Sequence, residues 1–119
     1  IMANAVIHAQ SSVRHWGGQV EDYIKIHEWF DDTKAYFPDF RHRALKHHSL
    51  GIKQCVELFG SYITNSDGKK VSVLAIGEQH VKEDCGFIPS VGDWLHWIKP
   101  QTFMFKAQKL SKNLKVVSQ

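Results

Sequence analysis

The sequence predicts a mostly α-helical fold, a small compact helical domain with one β-hairpin, which is α+β by strict count. Apolar residues recur at helical spacing through much of the first sixty positions. β-Branched and aromatic runs, by contrast, flank a single turn at Asp67-Gly68. A length of 119 residues with 43% hydrophobic content is typical of one soluble globular domain.

The first helix is predicted over residues 4–16, beginning at Asn4 and ending at a glycine pair, a common way to stop a helix. His8 and Ser12 then lie one turn apart, and His15 lies on the same face. A polar face is unusual for so short a helix, so we expect this face to line something.

Two further helices are predicted on either side of Pro38. Apolar side chains return at helical spacing over residues 19–37 until the proline breaks the pattern. Pro38 suits the first turn of the next helix, with Asp39 beside its positive end. That helix is predicted to continue to Gly60, about 30 Å at 1.5 Å per residue, and to be the longest element.

A hairpin is predicted near residues 61–75, because the dipeptide Asp67-Gly68 between β-branched runs is a strong hairpin signal. The strand pattern extends to Ile76. A short helix over residues 77–86, closed by Gly86, follows it.

After that helix, Ser90 is predicted to cap another one, with Asp93 three residues later. Residues 99–119 are predicted as an extended arm. In terms of domains, we expect residues 1–105 to form a single helical domain and residues 106–119 to be a basic C-terminal tail.

The charge is nearly balanced outside the tail. The formal net charge of the whole chain is +3. The tail alone carries more positive charge than this, from Lys106, Lys109, Lys112 and Lys115. Because nucleic-acid binding needs a basic patch on the folded body, we do not expect nucleic acid as a partner.

The sequence also predicts a compartment. Cys55 and Cys85 stand in unrelated contexts, with no C-x-x-C pair and no secretory signal ahead of them, so we expect a reducing cytoplasm. No apolar run approaches the roughly 18 residues of a membrane span, so no membrane association is expected. Nucleophile-elbow and nucleotide-binding loop motifs are likewise absent from the sequence.

Two His–Asp pairs share a chemically useful spacing. His27 and Asp31 are four residues apart, as are His80 and Asp84. On a helix, such a pair projects from one face and can reach the same cation or the same substrate proton. The same spacing also occurs in plain surface ion pairs, so both interpretations stay open.

The stretch RHRALKHH, residues 41–48, is the densest polar segment. If it lies on one helix, His42 and His47 point about 140° apart and cannot be adjacent ligands, so a metal site must collect ligands from several helices. Arg41 and His48 fall beside the apolar stripe and are expected to turn inward. A carboxylate should then face Arg41, and the candidates are Glu28, Asp31, Asp32 and Asp84.

Trp94 and Trp97 raise a different class of function. They lie three residues apart in the apolar segment DWLHWI. This segment either packs in the core or forms a partner surface, because exposed aromatic side chains are typical of binding sites.

The segments HEWFDDTKAYFPDFRHRALKHHSLGI, GEQHVKEDCGFIPS and DWL resemble a small uncharacterised family of bacterial and phage domains of unknown function. The resemblance covers residues 4–104 and leaves the basic tail outside. It implies no activity, only that a set of polar residues is shared. That set is His27, Trp29, Asp31, Lys34, Arg41, His42, Arg43, His47, His48, Glu78, Gln79, His80, Asp84 and Pro89.

The leading hypothesis is a metal-dependent hydrolase that acts on an anionic, phosphate-containing small molecule. The cofactor would be a divalent cation, zinc or a related first-row metal. The expected metal ligands are His27, His42, His48 and His80. The expected catalytic residues are Asp31, Arg41, Arg43 and Asp84, with the arginines orienting the substrate.

Two other hypotheses stay open. One is a non-enzymatic phage or bacterial protein that binds a host protein or sequesters a small anionic ligand, with the Trp94 and Trp97 region and the basic tail as its working surface. The other is a structural homodimer, formed through the same tryptophans, in which the histidines make interhelical hydrogen bonds.

Overall fold

Helices dominate residues 4–106, the part of the chain that the structure, a computed structural model, describes. The α-helices of this part are α1 Ala5–Trp16, α2 Val20–Asp31, α3 Arg43–Lys46, α4 Ser49–Phe59, α5 Val73–Cys85 and α6 Val91–Leu95. Strands β1 Tyr62–Thr64 and β2 Lys70–Ser72 form an antiparallel hairpin with Ile63 opposite Val71. The predicted fold class is thereby confirmed.

The apolar core lies between α1, α2, α4, α5 and the hairpin. Its buried members are Ala9, Tyr23, Ile26, Phe30, Ile52, Cys55, Val71, Val73, Ile76 and Val81. Gly77 lets α5 approach its neighbours closely, because a Cβ there would lie 3.2 Å from Ile52 Cγ2 and 3.3 Å from Phe30 Cζ. This close contact fixes the face of α5 that carries His80, one turn further along.

The hairpin turn is tied to the link between α1 and α2. Asp22 Oδ2 accepts a hydrogen bond from Ser66 N at 2.9 Å, and Asp67 Oδ2 accepts one from Gly18 N at 2.9 Å. The hairpin turn therefore braces the link between α1 and α2, at the end of α2 away from Asp31.

Two predicted boundaries were wrong, although the first helix is confirmed almost to the residue. The second helix ends at Asp31 and gives way to a 3₁₀ turn, Asp32–Ala35, because two consecutive carboxylates oppose the negative end of a helix. The second strand ends at Ser72, whose hydroxyl accepts a hydrogen bond from Ala75 N at 3.2 Å. This cap starts α5 at Val73, inside the segment predicted as strand.

The predicted long helix from Pro38 to Gly60 is wrong. It is divided into a 3₁₀ turn, Phe40–His42, the short α3 and then α4. His48 adopts an extended backbone, and its Nδ1 accepts a hydrogen bond from Gly51 N at 2.9 Å, so it caps α4. Gly51 permits the break, because a Cβ there would overlap the carbonyl oxygen of Lys46.

The C-terminal part of the described chain is short and exposed. Ser90 and Asp93 form the predicted capping box of α6. The predicted extended arm, residues 99–119, contains a 3₁₀ turn at Thr102–Phe105, and its residues 107–119, which are nearly all of the basic tail, lie outside the described residues. None of the helices in residues 4–106 is long and apolar enough to cross a bilayer.

Replacing Gly51 with Ala should destabilise the protein by about 2 kcal/mol or more, because the new methyl group collides with backbone and not with a movable side chain. Urea unfolding of Gly92→Ala provides the control. Gly92 is helical, and a Cβ added there would make only an ordinary contact, at 3.5 Å from Ser90 Oγ. Its variant should stay within about 1 kcal/mol of wild type. Equal stability of the two variants would contradict the account of the helix break.

Candidate metal centre

Five fully buried histidines surround two aspartates on one side of the core. His8 comes from α1, His27 and Asp31 from α2, His42 from the 3₁₀ turn, His47 from the end of α3, and His80 and Asp84 from α5. The Asp31 and Asp84 side chains are only 10% and 3% exposed. We refer to these seven residues as the histidine–aspartate cluster.

The Oδ1 atom of Asp31 is the point on which the imidazoles converge. The Nε2 atoms of His42 and His47 each lie 3.5 Å from it, and His80 Nε2 lies at 3.4 Å. These distances exceed the usual 2.7–3.2 Å of a hydrogen bond to nitrogen. They match the separation of roughly 3.3–3.4 Å between two ligands of a tetrahedral ion bound at about 2.0–2.1 Å.

A chain of hydrogen bonds behind the cluster fixes where the protons lie, and it starts at Gln79. Gln79 Nε2 donates to the His8 carbonyl at 2.9 Å and to Glu83 Oε1 at 3.0 Å, so Gln79 Oε1 is free to accept. The Ser12 hydroxyl donates to that oxygen at 2.6 Å, in preference to a 3.2 Å contact with the His8 carbonyl. With its hydrogen so used, Ser12 Oγ accepts the 2.8 Å hydrogen bond from His27 Nε2.

The same chain of hydrogen bonds determines that His80 Nε2, in the neutral ring, has a lone pair that faces the carboxylates. Burial and the neighbouring His80 and His8 lower the pKa of His27 to about 2, so its imidazole is neutral. Since its proton is on Nε2, His27 Nδ1 must accept the 2.9 Å hydrogen bond from His80 Nδ1. His80 Nε2 then carries no hydrogen in the neutral ring, yet it lies 3.4 Å from Asp31 Oδ1 and 3.2 Å from Asp84 Oδ2.

His42 presents a second lone pair in the same way. Its Nδ1 donates to the Asp39 carbonyl at 2.7 Å, which leaves Nε2 bare in the neutral ring. Within residues 4–106, His42 Nε2, Asp31 Oδ2 and His47 Nδ1 are buried atoms without a hydrogen-bond partner. An imidazole that donates one nitrogen to a backbone carbonyl and points the other at a carboxylate is typical of a metal ligand.

Both aspartates are anions in this setting. Burial would raise the pKa of Asp31 and of Asp84, but the cluster imidazoles that face them, His47 first, hold both pKa values well below their usual range. For His8, burial opposes protonation, whereas hydrogen bonds with Asp84 and Glu83 outweigh it and raise the pKa. The cluster thus brings imidazole nitrogens and ionised carboxylates into one dry site.

Side chains of the cluster can hold a metal ion. Its ligand atoms form overlapping groups in which all atoms lie within 4.8 Å of one another. These groups are His8, His27 and His80; His8, Asp31, His80 and Asp84; and Asp31, His42 and His47.

Of the four residues predicted as metal ligands, three belong to the cluster and one lies outside it. His42 and His80 face Asp31 directly, and His27 supports His80 from behind. His48 lies outside the cluster, because its buried ring caps α4; burial lowers its pKa, so Nδ1 is free to accept the capping bond.

Of the four residues predicted as catalytic, three lie at or beside the centre of the cluster and one lies at the surface. Asp31 and Asp84 lie at the centre, and Arg43 lies beside them, with Nη1 donating to the Asp84 carbonyl at 3.2 Å. The expectation that Arg41 turns inward was wrong. Its side chain is 64% exposed, and its Nη2 atom pairs with Asp39 Oδ2 at 3.0 Å, because the 3₁₀ turn replaces the helical stripe on which that expectation rested.

Several members of the site were missed from the sequence, namely His8 and His47 of the cluster and the supporting Ser12, Gln79 and Glu83. The polar face of the first helix was the signal for His8 and Ser12. His47 was dismissed as a neighbour of His42 because both were assigned to one straight helix. Nothing in the residue spacing indicated the role of Gln79, which depends on the distance between α1 and α5.

A groove of about 860 Å³ lies beside the cluster. Asp84 belongs to both, and Arg43, which donates to the Asp84 carbonyl, also lines the groove. Its other walls are mainly apolar and include Phe40, Leu45, Phe87, Trp94 and Trp97. Trp94 Nε1 donates to the His47 carbonyl at 2.8 Å and so joins α6 to the cluster.

A protein-family model described as a domain of unknown function (DUF6915) matches residues 3–104, and the chain belongs to this family. The resemblance to such a family is thereby confirmed, whereas its bacterial and phage distribution stays a prediction. Comparisons with curated proteins and with solved structures gave no match.

Replacing Ser12 with Ala should cost about 2–3 kcal/mol of unfolding free energy in chelator-treated protein, because Gln79 Oε1 and the buried His27 Nε2 both lose a partner. Ser11→Ala is the matched control on the same helix. Its partner Glu83 is 32% exposed and keeps other hydrogen bonds, so the loss should be only about 1 kcal/mol. Urea unfolding measures both variants, and equal losses would contradict the proton order derived for the chain of hydrogen bonds.

Proposed function

We propose that this member of the DUF6915 family is a metal-dependent hydrolase that acts on an anionic, phosphate-containing small molecule. The observation that carries the proposal is the convergence of the His42, His47 and His80 Nε2 atoms on one oxygen of Asp31 at 3.4–3.5 Å. Two of these nitrogens carry a lone pair when neutral. A lone pair facing a carboxylate is repulsive unless a proton or a metal ion lies between them.

The donor set suits zinc or a related first-row divalent metal. Asp31, His42 and His47 form a group of two imidazoles and one carboxylate, which leaves coordination positions for water and substrate. The hydrogen bond of His42 to the Asp39 carbonyl supplies the outer contact that orients such ligands. A cation at this group would lower the pKa of a bound water and polarise a phosphoryl oxygen.

The groove beside the cluster supplies a place for the substrate. Arg43 Nη2 lies 3.7 Å from Asp84 Oδ1, too far for a hydrogen bond, and Arg43 Nε has no partner among the described residues. These donors suit a phosphate group, whereas the apolar walls suit the organic part of an ester. In the reaction, a water oxygen bonds to phosphorus, the ester P–O bond breaks, and a water proton passes to the leaving alcohol.

The metal assignment predicts that untagged protein, dialysed against excess zinc, manganese or iron and then against buffer, retains metal by elemental mass spectrometry. His42→Ala and Asp31→Asn should each lose a large part of it, because each removes a ligand of the group that Asp31 shares with His47. His96→Ala is the control, since it removes an exposed histidine outside the cluster. Wild type without metal, or identical retention in all four proteins, would contradict the proposal.

The hydrolase assignment predicts that metal-loaded protein cleaves members of a panel of aryl and alkyl phosphate mono- and diesters. Arg43→Gln should lower kcat/KM by about 100-fold, a loss of roughly 2.7 kcal/mol in transition-state stabilisation, while metal content stays unchanged. Arg14→Gln, at an exposed arginine of α1, is the matched control and should retain activity. Full metal occupancy without cleavage of any phosphate ester would reject this reaction class.

The second candidate is a binding function at the exposed apolar surface that follows α6. Trp97 is 80% exposed, Phe103 is 73% exposed, and Leu95 and Ile98 are each more than half exposed. So much aromatic surface favours a protein partner, either a host protein or a second copy of this chain. Light scattering across a concentration series separates the homodimer from a foreign partner.

A further inference from the structure

We propose that the histidine–aspartate cluster is a two-metal centre, with a second position at His8, His80 and Asp84 and with Asp31 shared between the two ions. This inference rests on the proposed function of the same site. It specifies how the site works, because paired ions about 3.5–4 Å apart can stabilise both the attacking and the leaving oxygen of a phosphate ester.

The grouping of the ligand atoms is the first observation. Asp31, His42 and His47 form one group within 4.8 Å, and His8, Asp31, His80 and Asp84 form another. Ligands of a single first-row ion lie at most about 4.4 Å apart, twice a bond of roughly 2.2 Å. His42 and His47 belong to the first group, His8 and His80 belong to the second, and only Asp31 belongs to both, so one ion does not satisfy all of these ligands.

The carboxylate of Asp84 is the second observation. Its Oδ2 lies 2.9 Å from His47 Nε2, which belongs to the first group, and 3.2 Å from His80 Nε2, which belongs to the second. Its Oδ1 lies 3.1 Å from His8 Nε2. Asp84 therefore stands between the two positions, as a bridging carboxylate does in two-metal sites.

Two lone pairs aimed at different places are the third observation. His42 Nε2 is fully buried, has no hydrogen-bond partner among residues 4–106 and belongs only to the first group. His80 Nε2, which is bare in the neutral ring because Nδ1 donates to His27, belongs only to groups that include His8. In the neutral rings, the two lone pairs therefore point to two separate positions for a cation.

The charge of the site fits the proposed substrate. The ionised Asp31 and Asp84 offset one dication, so two dications leave a net positive charge in the cluster. Asp84 and Arg43 line the groove, so a phosphate group bound there would lie beside that charge.

The test is the number of manganese ions bound per chain, measured by elemental analysis, together with the electron paramagnetic resonance spectrum. Wild type should bind two ions with an exchange-coupled spectrum. His42→Ala and His8→Ala should each bind one ion and show the hyperfine pattern of isolated manganese. His8→Gln, which keeps a polar partner for Glu83, replaces His8→Ala if the latter does not fold, and His96→Ala should bind as wild type does.

The outcomes separate the two proposals. One ion per wild-type chain, unchanged in His8→Ala or His8→Gln, overturns the second position and leaves the single-metal hydrolase standing. Two ions without exchange coupling also overturn the inference, because they are not bridged. No retained ion overturns the proposed function and this inference together.

Discussion

Two buried carboxylates, Asp31 and Asp84, are the constraint on which the rest of the structure depends. Removing an ionised carboxylate from water costs several kcal/mol unless charges or hydrogen-bond donors replace the lost solvation. The elements packed around them supply imidazoles, and α3 supplies the Arg43 guanidinium. The arrangement of α1, α2 and α5 is therefore also an arrangement of compensating groups, and the apolar core adjoins it through Phe30, whose ring stacks on His80 with 4.8 Å between the centroids.

The break between α3 and α4 is the structural feature that completes this compensation. It turns the His47 ring towards Asp84 and sets His48 to cap the next helix, so adjacent histidines have unrelated roles. Lys46 anchors the turn by donating to the Trp29 carbonyl at 2.9 Å and to Asp32 at 2.7 Å. Local backbone chemistry at Gly51 and Lys46 thus determines which imidazole reaches the site.

The sequence was informative about helices and much less so about the site. Periodicity and caps located α1, the hairpin and α6, because those signals are local. His27, Asp31, His80 and Asp84 were identifiable from their spacing alone. The pairing of His42 with His47 was not, because it depends on a kink that helical periodicity does not contain. The roles of His8, Ser12 and Gln79 depend on the packing of α1 against α5, which no pattern within one segment encodes.

The centre of the cluster is less completely hydrogen-bonded than its periphery. Buried polar groups in proteins pair nearly every donor with an acceptor, and a buried ion network is often no more stable than an apolar replacement of equal volume. Here the supporting bonds from Gln79 to His27 are complete, yet they orient His80 so that Nε2, bare in the neutral ring, faces two anions. With neutral rings, the network is satisfied at its periphery and repulsive at its centre, and a proton or a metal ion at the centre removes the repulsion. Conflicts between local rules and a well-packed fold concentrate at functional sites.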